Sequence, residues 1–145
     1  MAETVLRAKL DEAGLGHRVI VASSGTSRYH INEDMDARAR ATLQAAGYDP
    51  RDHRGRQATE RTLADSDLVL AMDNANQCEL LMLAERAHLD ADHVRLFRSY
   101  DPLAPALADV PDPYYGHDDG FADVLGIVER AAAGVTEFVA AELEL

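Results

Sequence analysis

The run Asp67-Leu68-Val69-Leu70-Ala71-Met72 constrains the fold more than any other stretch of the chain. Its unbroken apolar residues leave no polar face for water, so a strand here must be covered on both sides. A short buried strand of that kind belongs to a parallel sheet held between helices. The flanking sequence agrees. Asp73-Asn74-Ala75-Asn76 offers capping side chains, and Leu80, Leu81, Leu83 and Ala84 mark the apolar face of a helix running to about Ala87. His93 to Phe97, with Val94, Leu96 and Phe97, reads as the next strand.

The rest of the chain extends this alternation. Ala2 to Ala13 reads as a helix, with Val5, Leu6, Leu10 and Ala13 near one face and Gly14 and Gly16 as its stop. His17 to Ala22 reads as a strand on its contiguous Val19, Ile20 and Val21. Ser23-Ser24-Gly25-Thr26 follows it, either as a simple turn or as a ligand-contacting group at a strand's C-terminal edge. Asp36 to Ala46 is a second helix ended by Gly47, and Thr59 to Leu63 suggests a short helical turn. A last helix opens at Asp118-Asp119-Gly120. Its Phe121, Val124, Leu125, Val128, Val135, Phe138 and Val139 recur at helical spacing. Alternating elements of this kind imply an α/β fold, a doubly wound parallel sheet with right-handed crossovers and helices on both faces. The pattern begins on a helix rather than a strand, which is unusual for such a fold.

Composition narrows the function. At 145 residues, 47% hydrophobic and 28% charged, the chain suits one globular domain spanning residues 1–145. Its 14 basic and 26 acidic residues leave a formal net charge of -12, which repels nucleic acid and anionic membranes. The single cysteine, Cys78, forbids an intrachain disulfide and favours a cytoplasmic setting. No apolar run approaches a membrane span, and no signal segment opens the chain. No metal-ligand set or cofactor motif is present in the sequence.

One further stretch carries chemistry: Pro111-Asp112-Pro113-Tyr114-Tyr115-Gly116. Each proline fixes its own φ and pushes the preceding residue out of the α region, so Asp112 sits on a stiff, extended or turning loop. On spacing alone, paired Pro and Asp are ordinary turn chemistry. A carboxylate held beside two aromatic rings also suits a general acid acting over an aromatic substrate.

D-P-Y-Y-G resembles the acid loop of the low molecular weight protein tyrosine phosphatases. Further matches run in register along the whole chain. Ser23-Ser24-Gly25-Thr26 resembles the family's S-A-G-T, and His53 with Arg56-Gln57 fits H-x-x-R-Q. Ala71-Met72-Asp73 with Asn76 resembles M-D-x-x-N, and Arg98-Ser99-Tyr100-Asp101-Pro102 fits the approach to the acid loop. Met1-Ala2-Glu3 matches the residues that follow the family's phosphate-binding loop. The resemblance implies a three-layer sheet of order 2-1-3-4, with residues 17–22, 67–72 and 93–97 as strands 2, 3 and 4 and the first strand missing from these residues. It implies Asp112 as the acid that protonates the leaving tyrosyl oxygen. Tyr29, Tyr114 and Tyr115 would be the aromatic wall for a phosphotyrosine protein or a small aryl phosphate. Ser23 and His53 would support the phosphate loop by hydrogen bonds.

The departure from the family lies in its catalytic centre. The family's C-x5-R loop supplies a low-pKa thiolate, backbone N–H groups and an arginine fork for the phosphate. No such pattern occurs in these residues, and Cys78 lies within a helix without a glycine loop or a suitably spaced arginine. Three readings follow. The chain is a phosphatase whose start is placed too late, and is inactive as it stands. It is a short, inactive member that binds or scaffolds. Or it is an arsenate reductase relative, a chemistry that needs more redox cysteines than Cys78 alone. On the first reading the sheet has a gap where a strand belongs, and that gap invites self-association.

Overall fold

A computed structural model of the chain describes residues 1–25, 35–50, 56–111 and 119–144. Among them α1 spans Ala2–Glu12, α2 Ala37–Ala45, α3 Glu60–Asp65, β1 Val69–Ala71, α4 Asn74–Arg86, β2 Val94–Leu96 and α5 Asp119–Leu143. A 3-10 turn at Phe97–Tyr100 follows β2 directly.

The apolar run at residues 68–72 behaves as a strand covered on both faces. β1 and β2 pair in parallel, with Val69 opposite Val94, Leu70 opposite Arg95 and Ala71 opposite Leu96. α4 is the helical crossover that a parallel pair requires. Successive side chains then point to opposite sides. Val69 and Ala71 join a cluster with Leu63, Leu80, Ala84, Val94 and Leu96, on the side covered by α3 and α4. Leu68, Leu70 and Met72 pack on a larger cluster of Val5 from α1, Leu43 from α2, Phe97, and Val124, Leu125, Val128 and Val135 from α5. The three-layer α/β arrangement expected from the sequence is therefore present, and β1 lies beside β2 as strands 3 and 4 do in the expected order.

The strand expected at His17–Ala22 does not form. Residues 16–18 make a turn, residues 19–24 carry no ladder, and Ile20 is 98% exposed. Among the described residues, the pairing in this region is a parallel bridge between Gly25 and Gln57. A strand owes its hydrogen bonds to its neighbours. The expected order puts another strand between residues 17–22 and β1, and none of the described residues takes that place. Without a ladder, three β-branched residues are not enough.

Helix ends follow local rules. Asp36 accepts from the Arg38 amide at 2.8 Å and Asp73 from the Asn76 amide at 2.7 Å. Thr59 and Thr62 form a reciprocal capping box on α3. Gly14 and Gly47 adopt φ of 76° and 90° just past α1 and α2, where a side chain would be strained. The Tyr48 hydroxyl donates to Glu129 Oε2 at 2.7 Å and ties the end of α2 to α5. Burial and the neighbouring Glu129 carboxylate push its pKa up to about 12.

α5 crosses the 3-10 turn at Gly134. A Cβ there would collide with the Tyr100 carbonyl oxygen, a backbone atom that cannot swing aside. Gly134→Ala is therefore expected to destabilise the fold by about 1–3 kcal/mol. That outweighs the roughly 1 kcal/mol that alanine gains over glycine within a helix. A urea midpoint lowered at unchanged slope would show it, and a raised midpoint would disprove the close crossing.

Candidate functional site

In a parallel α/β sheet, ligands meet the protein beyond the carboxyl ends of the strands. Here β1 ends at Ala71 and runs into Met72, Asp73 and Asn74, where α4 begins. The Val110 amide donates to the Met72 carbonyl at 2.7 Å. The chain that leads to Asp112 is thus fastened at the carboxyl end of β1, two residues before the aspartate.

Neighbouring bonds fix the same approach. The Asn74 amide donates to Asp109 Oδ1 at 2.7 Å, and Asn74 Nδ2 donates to that oxygen at 2.6 Å and to the Leu107 carbonyl at 2.8 Å. Arg98 Nη1 donates to the Asp109 carbonyl at 2.9 Å. In the first turn of α5, Phe121 is buried and faced by the Arg38 guanidinium at 4.8 Å.

Two other sequence motifs are also brought together. The Gly25 amide donates to the Arg56 carbonyl at 2.6 Å, and the Ala58 amide donates to the Gly25 carbonyl at 2.7 Å. The serine-rich turn after residue 22 therefore sits against the Arg56-Gln57 segment, and Ala58 packs in turn on the cluster that holds Ala71. Ser23 Oγ donates to Glu3 Oε1 at 3.0 Å in the first turn of α1. Arg7 Nη2 donates to the Val21 carbonyl at 2.7 Å, so α1 lies along residues 21–23.

Below the approach to Asp112 lies a charged centre. The Asp101 carboxylate is wholly buried and accepts from Arg130 Nε at 3.2 and 3.3 Å and from the Leu103 amide at 2.9 Å. Arg98 Nε stands 3.9 Å away. Burial alone would raise the Asp101 pKa. The Leu103 amide and the Arg130 and Arg98 guanidiniums outweigh it and hold the carboxyl below its ordinary value. This centre joins α5 to the 3-10 turn, and through Arg98 to Asp109.

Of the site residues expected from the sequence, Ser23 is described, while Asp112, Tyr29, Tyr114, Tyr115 and His53 lie outside the described residues. Cys78 is exposed on α4. Among the described residues, no three His, Cys, Asp or Glu side chains gather to hold a metal ion. None of the described helices is long and apolar enough to cross a membrane.

Comparison with known proteins settles the family. The model of the family described as low molecular weight phosphotyrosine protein phosphatase matches residues 1–145. The chain belongs to this family. A low molecular weight protein-tyrosine-phosphatase of Streptomyces coelicolor is 44% identical over 145 residues, covering 99% of this chain and 87% of the relative. The low molecular weight protein-tyrosine phosphatase A of Mycobacterium tuberculosis is 39% identical over 140 residues, covering 96% and 82%. The crystal structure of a protein tyrosine phosphatase from Entamoeba histolytica, with Hepes in its active site, superposes with a TM-score of 0.87 at 28% identity. It covers 99% of this chain and 89% of that one. Family membership confirms the resemblance read from D-P-Y-Y-G and its companion motifs. The anchoring roles of Asn74, Arg98 and Asp109 are not legible in the sequence, although Arg98 lies in the stretch that resembles the approach to the acid loop. Asn74 was visible only as part of a helix cap, and its partner stands 35 positions further on.

Proposed function

We propose that the chain is a protein-tyrosine-phosphatase family protein whose general acid is Asp112, acting on phosphotyrosine proteins or small aryl phosphates as one domain in the cytoplasm. The observation that carries this is the Val110–Met72 bond. It fastens the Asp112 approach to the carboxyl end of a parallel strand, where such folds bind ligands. In the reaction, a thiolate attacks phosphorus and the bond to the tyrosyl oxygen breaks. Asp112 gives its proton to that oxygen. Water then attacks the cysteinyl phosphate, Asp112 takes a proton from it, and phosphate and thiolate are released. Tyr29, Tyr114 and Tyr115 enclose the substrate ring. Ser23 and His53 support the phosphate-binding loop.

The 145 residues contain no C-x5-R, so the thiolate and the arginine fork are not among them. Alone they have the acid without the nucleophile. An open edge on β1 would also favour pairing with a second copy. The purified 145-residue chain is expected to hydrolyse aryl phosphates no faster than buffer, and Cys78→Ser is expected to change nothing. Joining a family strand and C-x5-R segment ahead of Met1 is expected to create turnover. Turnover in the chain alone that vanishes in Cys78→Ser would place the nucleophile at Cys78 and overturn the proposal. A joined protein that stays silent yet binds phosphotyrosine peptides would favour a scaffold.

A further inference from the structure

The approach to Asp112 is held more tightly than an exposed loop requires. Residues 107–110 are hydrogen-bonded to three separate parts of the fold. Asn74, at the start of α4, grips Asp109 Oδ1 twice and the Leu107 carbonyl once, at 2.6–2.8 Å. Arg98, in the 3-10 turn, holds the Asp109 carbonyl at 2.9 Å. Met72, at the end of β1, accepts from the Val110 amide at 2.7 Å. Arg98 is itself fixed by Asp101, which α5 clasps through Arg130.

Leu107 gives a second, independent sign. Its φ is 58°, in the left-handed region that a branched side chain disfavours. Its side chain is 74% exposed and so gains little from packing. What the strained conformation does is turn a carbonyl to Asn74 Nδ2. Strain of this sort persists where surrounding bonds impose it, and it gathers near functional sites.

We propose that Asn74 and Asp109 are positioning residues for the general acid. Their three hydrogen bonds set the point from which the chain departs toward Asp112. This rests on the reading of Asp112 as the acid. Their effect is to keep the carboxyl within reach of the leaving oxygen, because a displacement of about 1 Å can cost up to 100-fold in rate. Asp109 serves by accepting at Oδ1, so an asparagine, which keeps that oxygen, is expected to replace it and an alanine is not.

The test has two arms, and both residues are exposed, so neither substitution disturbs a core. In the 145-residue chain, hydrogen exchange at the Asn74 and Val110 amides is expected to quicken about tenfold in Asp109→Ala, and to return close to the parent rate in Asp109→Asn. In the chain joined to a C-x5-R segment, Asp109→Ala and Asn74→Ala are expected to slow phenyl phosphate about tenfold. Dinitrophenyl phosphate, which needs no proton for its leaving group, is expected to stay within about twofold. Adding Asp109→Ala to Asp112→Asn is expected to cost nothing more. Unchanged exchange in Asp109→Ala would show that no clamp exists. Equal slowing of both esters by Asp109→Ala, while Asp112→Asn still slows phenyl phosphate selectively, would reduce the clamp to general structural support. If Asp112→Asn itself slowed both esters equally, the acid reading would fail and this proposal with it. The exchange arm would still report whether the clamp ties the loop.

Discussion

Asp101→Ala is expected to lower the free energy of unfolding by about 3 kcal/mol, the low end for removing one partner of a buried ion pair. The low end applies because Arg130 is 40% exposed and can turn to water, whereas Arg98 is only 18% exposed and would keep a largely buried charge. Natural domains hold about 5–15 kcal/mol in total, so the loss would be a large share. The gentler Asp101→Asn keeps an acceptor for the Leu103 amide and removes only the charge. Its effect should depend on pH in a defined direction. The folded-state pKa of Asp101 is depressed, so its contribution is fully present above the unfolded carboxylate value and is lost as pH falls through the lower, folded one. The gap in melting temperature between the parent and Asp101→Asn is expected to be constant from neutral pH down to about pH 5 and to close below about pH 4. A gap that widened in acid would mean the carboxyl is protonated in the fold.

The same residue shows what could be read from the sequence. Asp101 lies in Arg98-Ser99-Tyr100-Asp101-Pro102, a stretch resembling the family's approach to the acid loop. Its burial, and its grip on an arginine of α5, could not be foreseen, because Arg130 lies 29 positions away and looks like any exposed helical arginine. Periodic signals did better. The alternation of Leu68, Leu70 and Met72 against Val69 and Ala71 gave two covered faces, as an unbroken apolar run implies. The 3.6-residue recurrence from Phe121 to Val135 gave the buried face of α5. The segment at Val19-Ile20-Val21 misled, because β-propensity describes fit to a half-buried pleated surface and this segment has none to join. At the site, chemistry was legible where it is concentrated in a short motif, as in D-P-Y-Y-G. It was not legible where it depends on contacts between distant segments, as for Asn74 and Asp109.

Asp112→Asn, in the chain joined to a C-x5-R segment, carries the largest catalytic effect. General-acid assistance is worth about 10²–10⁴-fold when the leaving group is poor. Phenolate is such a group, because it would otherwise depart as a basic anion. A dinitrophenolate departs unaided, and the proton then matters little. The thiolate, the phosphate cradle and the substrate ring are the same for both esters. The ratio of their rates therefore isolates proton donation from binding and from nucleophilic attack. The direct measurement is kcat for phenyl phosphate relative to kcat for dinitrophenyl phosphate, in the parent and in Asp112→Asn. The ratio is expected to fall at least about 100-fold in the variant, almost entirely through the phenyl ester. An unchanged ratio, with both rates lowered alike, would contradict the general-acid role and leave Asp112 as an anchor for its loop.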